Sequence, residues 1–158
     1  MAYIEFNDAQ VQAAINNLSA ALTHMSPVFA EIDEFLLATT GKRFDDTEAP
    51  EGSKWAPRSP ANLAHHPREG GSFGPVLHRT GELRRFINVA SDDEKVTIGT
   101  NTLHAAVQQW GAAKGSLGPT SPWGNIPARP FIGVSETDRE GVLNILGGWL
   151  ERVATGDV

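Results

Sequence analysis

The sequence predicts an α+β fold: a small, mostly antiparallel sheet flanked by a long N-terminal helix and a C-terminal helix, with a long Pro/Gly-rich arm. Three observations predict it. Val11, Ile15, Leu18, Leu22, Met25, Phe29, Ile32 and Leu36 follow one another at spacings that alternate between four and three, which places them on one helical face. Phe86-Ile87-Asn88-Val89-Ala90 and Lys95-Val96-Thr97-Ile98-Gly99 flank the turn residues Ser91-Asp92-Asp93-Glu94, the pattern of a β-hairpin. Beyond Gly133, Ser135 and Asp138 have the spacing of a capping box, and Val142, Leu146, Trp149 and Val153 then share a face.

The chain's 158 residues suit one domain, spanning 1–158; a domain of that size buries about 70% of its unfolded surface. The absence of cysteine excludes a disulfide scaffold and thiolate chemistry, and it fits a cytoplasmic origin. No apolar run approaches the roughly 20 residues that cross a bilayer, so no membrane partner is expected. The start, Met-Ala-Tyr-Ile-Glu-Phe, does not read as a signal peptide. The net charge of −6 is uneven: residues 1–52 carry nine acids and two bases, residues 53–110 five acids and seven bases. That asymmetry is compatible with head-to-tail attraction between copies or with ordinary surface variation. It argues against sequence-specific binding of duplex DNA, which needs a concentrated basic face.

In chain order, Ala2, Ile4 and Phe6 alternate with Tyr3 and Glu5 and allow a short first strand. Asn7 is placed to cap the first helix, with Phe6 and Val11 as a hydrophobic staple. Pro27 lacks an N–H and crowds the preceding turn, so it kinks this helix or splits it into two nearly end to end. Thr39-Thr40-Gly41 reads as its stop. Residues 42–78 form the arm, rich in Pro and Gly and poor in apolar residues. Trp55, in Ser53-Lys54-Trp55-Ala56-Pro57, either pins the arm to the body or orders on assembly. After the hairpin, Thr100-Asn101 introduces a short helix over residues 103–110 that Gly111 ends. Residues 112–125 are a second loop, with Trp123 as its aromatic anchor. Within the last helix, Gly147-Gly148 implies close backbone approach or a frayed end.

The stretch Ile126-Pro-Ala-Arg-Pro-Phe-Ile-Gly133 is the most constrained in the chain. Its prolines fix φ and push the residues before them to extended backbone, making a stiff rod that displays Arg129 and Phe131. A planar cation beside an aromatic on such a rod suits a docking surface or a packed connection.

Catalytic and metal readings fare poorly. His65 and His66 are adjacent, so in extended backbone they point to opposite sides and do not readily share one ion. His65, His66, His78, Glu82, Asp92 and Asp93 fall at no spacing that assembles acid, base and nucleophile on a known scaffold. There is no nucleotide-binding glycine loop and no Gly-x-Ser-x-Gly elbow. No catalytic residue, metal or cofactor is therefore expected.

The order of the parts carries a resemblance. The long helix precedes Trp55-Ala56-Pro57, then Leu77-His-Arg-Thr-Gly-Glu-Leu83, the hairpin, Ile98-Gly-Thr-Asn101, His104-Ala-Ala-Val-Gln-Gln-Trp-Gly111 and the rod. Nearly the whole chain resembles the phage virion morphogenesis family, which includes tail-completion proteins and the G protein of Mu-like phages. It departs from that pattern at His104, where a tyrosine is usual, and across Gln108-Gln109-Trp110. The resemblance implies a structural, non-enzymatic virion component of the head–tail junction, or neck. Such a protein acts in tail completion and head–tail joining as a ring of its own copies, against neighbouring neck, connector or tail proteins. It implies that DNA passes through the ring without being read. On this reading Trp55, Trp110, Trp123, Arg129 and Phe131 are interface residues. Arg129 bridges to an acid in the same or a neighbouring subunit, aromatics fill apolar pockets, and the arm orders against an adjacent ring. The alternatives are a capsid assembly factor absent from the finished particle, and a phage hydrolase.

Overall fold

The computed structural model describes residues 8–65, 74–121 and 124–156. In chain order the elements are α1 (Ala9–Ala21), α2 (Ser26–Asp46), α3 (Pro60–His65), α4 (Glu82–Arg85), β1 (Ile87–Ser91), β2 (Val96–Thr100), α5 (Ala105–Trp110) and α6 (Glu136–Thr155). The α+β expectation holds, with a two-stranded antiparallel sheet between N-terminal and C-terminal helices. The suggested first strand at residues 2–6, the Asn7 cap and the staple lie outside the described residues.

Pro27 splits the predicted long helix. Residues 22–25 separate α1 from α2, and Pro27 sits in the first turn of α2, where its missing N–H leaves no helix bond unmade. No side chain of the adjoining residues caps α2. The cap arrives from the hairpin turn instead: Asp93 Oδ1 accepts the Ser26 N–H at 3.0 Å and the Ser26 hydroxyl at 2.5 Å. These two Ser26 bonds hold the Asp93 carboxyl below the usual carboxylate range. The same hairpin is tied to α2 a second time, by the Ser91 hydroxyl donating to Asp33 Oδ2 at 2.6 Å.

The helix runs five residues past its expected stop at Gly41, to Asp46. Thr40, Arg43 and Phe44 are all buried there. Burying a phenylalanine is worth about 1.5–3 kcal/mol and outweighs the roughly 1 kcal/mol cost of one helical glycine. Thr47 closes the helix in left-handed conformation at φ 55°.

Two apolar clusters share the interior. Val28, Ile32, Leu36, Trp149 and Val153 pack α2 on α6, with Leu18, Ala21 and Met25 at their edge. Phe44, Ala49, Trp55, Leu83, Ile87, Ala105 and Phe131 form the other, and Ile98 of β2 touches both. The predicted stripe is thus only half used: Leu18 and Met25 pack, while Val11, Ile15 and Leu22 of the N-terminal part stay more than half exposed. In α2 the buried row is Val28, Ile32, Leu36 and Thr40, a spacing of four that leaves Phe29 at the edge.

The hairpin register pairs Ile87 with Thr100 and Ser91 with Val96, around the expected turn. Asp92 shapes that turn by accepting from the Glu94 and Lys95 N–H groups. The α6 capping box forms as read, with Asp138 N–H donating to Ser135 Oγ at 3.0 Å and Ser135 N–H to Asp138 Oδ2 at 2.7 Å. Gly147 and Gly148 make no close backbone approach and the helix continues past them to Thr155, so neither reading of that pair describes the subunit. The close approach is at Gly141, where an added Cβ would lie 2.2 Å from the Phe35 ring.

Gly111 ends α5 at φ 74°, and a Cβ there would lie 2.7 Å from the Ile126 carbonyl and 2.9 Å from the Ala128 nitrogen. Gly111→Ala is expected to lower the unfolding free energy by about 2 kcal/mol or more, from positive-φ strain plus the clash. Gly147→Ala, into open space on a helix, is expected to raise it by up to about 1 kcal/mol. Chemical denaturation of both variants checks the contrast.

Candidate interaction site

Residues 126–133 run as an extended segment whose burial alternates: Arg129 and Phe131 point inward, Ala128 is exposed and Pro130 half-buried. Several parts of the chain hold the segment. Ile126 pairs with Ala112 through two backbone hydrogen bonds, 2.8 and 2.9 Å long. Arg129 N–H donates to the Gln108 carbonyl at 2.6 Å. Gln109 then reads the backbone like a neighbouring strand: its Oε1 accepts the Phe131 and Ile132 N–H groups at 3.0 and 3.1 Å, and its Nε2 donates to the Ile132 carbonyl at 2.7 Å. The Pro130 carbonyl accepts Trp55 Nε1–H at 2.7 Å. Gly133 lies against Pro50, where an added Cβ would stand 2.7 Å from Pro50 Cγ.

Two buried arginines complete the clamp. Arg129 carries no carboxylate partner among the described residues, which corrects the expectation that it bridges to an acid within the subunit. Its Nε–H donates to the Ala56 carbonyl at 2.7 Å, Nη2 to the Pro57 carbonyl at 2.8 Å and Nη1 to Gln108 Oε1 at 3.3 Å. Burial, with the Arg58 charge adding to it, lowers this guanidinium below its ordinary pKa. Fork geometry lets one side chain satisfy successive carbonyls of the arm and hold the arm to the rod.

Arg43 reaches from α2. Its Nη1 donates to the Gly133 carbonyl at 2.8 Å and toward the Phe131 carbonyl at 3.4 Å, while Nη2 pairs with Asp138 Oδ2. Burial pushes the Asp138 carboxyl upward, but hydrogen bonds from Ser135, the Arg43 charge and a bond from Thr39 outweigh it and hold the group below the usual range.

Trp55, Phe44 and Phe131 form an aromatic cluster beneath the rod. Phe44 meets Trp55 edge-on with ring centroids 5.3 Å apart and lies 5.6 Å from Phe131. Trp55 therefore pins the arm to the body. Of the five residues singled out from sequence, Trp55, Arg129 and Phe131 are inside the subunit, Trp123 lies outside the described residues, and Trp110 is exposed.

The titratable residues named from sequence serve other contacts where they are described. Asp92 and Asp93 serve the turn and the α2 cap, Glu82 accepts from Thr80, His66 lies outside the described residues, and His65 ends α3. His78 lies in the turn leading to α4, close to Gly81. Among the described residues no three His, Asp or Glu side chains are grouped to hold a metal ion, and no helix is long and apolar enough to cross a membrane. The arrangement ties Ala56 and Pro57 of the arm, the rod, α2 and α6 to one another.

The sequence model of the phage virion morphogenesis family matches residues 6–151. The chain belongs to that family. Among its relatives is the G protein of Escherichia phage Mu, named for capsid assembly, which is 30% identical over 112 residues that make up 70% of each chain. Another is the Mu-like prophage FluMu G protein 2 of Haemophilus influenzae, 26% identical over 144 residues that cover 90% of this chain and 91% of the relative. No solved structure matches. Within this virion morphogenesis chain, the motif Gln108-Gln109-Trp110 acquires a physical role: two glutamines grip the rod and the tryptophan beside them is turned outward.

Sequence reading missed the partners of Arg43, Gln108, Gln109 and Asp93. Their contacts span 21 to 95 residues of chain, so no local spacing announces them. Gln108 and Gln109 carried one signal, their place in a stretch where the chain departs from the family pattern.

Two outcomes test the clamp. Arg129→Ala is expected to lower the unfolding free energy by about 3 kcal/mol, because it leaves two arm carbonyls unpaired; Arg129→Lys should recover less than half of that, since an ammonium does not reproduce the fork. For Asp138 the folded pKa lies below the unfolded one, so its contribution is complete above about pH 4 and is lost as pH falls through the folded value. Asp138→Asn is therefore expected to cost about 3 kcal/mol at neutral pH, with the gap from the parent narrowing under acid. Denaturant titrations over a pH series measure it.

Proposed function

We propose that this chain is a structural, non-enzymatic component of the phage head–tail junction, acting in tail completion and head–tail joining as one subunit of a ring of its own copies. The observation that carries this reading is the family match over residues 6–151, which spans the arm, the hairpin, the rod and most of α6. Physical features support it. A ring around passing DNA must hold shape under load, and the rod is gripped from α2, α5 and the arm. Its surface should not hold DNA tightly, and the chain's net charge is −6. Its neighbours would be other neck, connector or tail proteins. The buried Trp55, Arg129 and Phe131 then shape the interface from within, while Trp110 meets a neighbour directly.

The name of the phage Mu relative favours a second reading, a capsid assembly factor that does not remain in the particle. Deleting the gene separates the two. The neck reading expects well-formed heads and tails to accumulate unjoined, with the protein present in purified wild-type virions by mass spectrometry. Malformed heads, and particles free of the protein, would replace the neck reading with the assembly-factor one.

A further inference from the structure

Trp110 is 77% exposed, and Leu103, two residues before α5 begins, is 99% exposed. The tryptophan is not loosely held. Gln109 before it makes three hydrogen bonds to the rod, and Gly111 after it donates to the Val107 carbonyl and has the Ile126 and Ala128 backbone pressed against it. Those contacts fix the backbone that carries the indole. A large apolar side chain kept in water on a fixed backbone is a preorganised anchor, the kind of residue that dominates interfaces.

The same chain carries a surface that would receive it. A shallow groove of about 630 Å³ runs along α2 and α4, with Leu37, Ala38 and Gly41 among its lining and Glu34, Arg84 and Arg85 around them. Leu37 is 41% exposed within it, and guanidinium groups stack favourably on an indole face. Local charge narrows the pairing: in the groove's lining Lys42 pairs with Asp46 and Asp45 with Arg84, which leaves Glu34 as its acid without an ion pair among the described residues. Copies with a net charge of −6 repel one another, so self-association needs local pairs of opposite sign. Lys114 lies four residues beyond Trp110, Glu34 borders the groove, and neither makes an ion pair among the described residues. By contrast, the exposed Val11, Ile15 and Leu22 face of α1 belongs to a helix with no charged residue to select a partner.

We propose that Trp110 and Leu103 of one copy dock into the α2–α4 groove of the next copy, with Lys114 facing Glu34. Anchor and groove are different surfaces, so the contact is head to tail and closes into a ring when its rotation permits. The inference rests on the ring reading above and names its contact.

The chain has no cysteine, so an introduced pair reports without background. The test uses the full-length Ala38→Cys/Ala113→Cys variant, supplied to cells infected with a phage lacking the gene and treated with a short thiol–thiol crosslinker. A ladder of dimers, trimers and larger species is expected, with no ladder from either single variant. Adding Trp110→Ala should weaken the ladder by about tenfold or more, as loss of an anchor residue does. Glu34→Lys should weaken it too, and Lys114→Glu in the same chain should restore it. No ladder, a crosslink to a different protein in its place, or dimers from Ile15→Cys that ignore Trp110→Ala would overturn the proposal. Particle content is assayed separately: a retained protein without a ladder overturns this docking alone, and a ladder with the protein missing from virions overturns the neck reading alone.

Discussion

The buried pair of Arg43 and Asp138 is the constraint on which the rest of the architecture turns. One guanidinium, late in α2, meets the carboxylate that also caps α6, and on the way it binds the Gly133 carbonyl where the rod ends. Three pieces of chain that are distant in sequence therefore meet at one charge. Such a pair is costly to bury, and removing either partner strands the other, at about 3–5 kcal/mol. Its value is specificity: it sets where α6 starts relative to α2 and so aligns the α2–α6 cluster with the aromatic cluster under the rod.

From that anchor the other contacts follow a common logic. Extended backbone with two prolines has few N–H groups to offer a sheet: those of Ile126 and Arg129 bond backbone carbonyls of Ala112 and Gln108, and those of Phe131 and Ile132 meet a side chain. Gln109 takes the place of a neighbouring strand, Trp55 caps the Pro130 carbonyl and Arg129 gathers the arm. Among the described residues the sheet has two strands, and side-chain hydrogen bonds tie the rod and the arm to the body beside it. The outcome is a body in which the arm, rod and long helices are coupled, and in which Trp110 projects from the rigid part.

What could be read in advance was what depends on neighbours in sequence. The hairpin, the Ser135–Asp138 capping box, the Gly111 stop and the Val142, Leu146, Trp149 and Val153 face were all legible, since a few adjacent residues determine each. The α2 stop was misread because burial of Phe44 and Arg43 overrides Gly41. The site was harder. Arg129 and Phe131 stood out through their prolines, yet whether they faced a neighbour or the interior depended on Gln108, Gln109 and the arm carbonyls, which no local pattern exposes. Gly141 was passed over for the more conspicuous Gly147-Gly148 because the Phe35 ring that crowds it comes from another helix.

A rod that is part of the folded core opens only with it. Native-state hydrogen exchange measures this directly, at the Phe131 and Ile132 amides bonded to Gln109 and at the α2 amides around Leu36 and Thr40. The account expects the two sets to share one opening free energy, close to that of global unfolding. Rod amides that exchange through a low-energy local opening, while α2 stays protected, would contradict it.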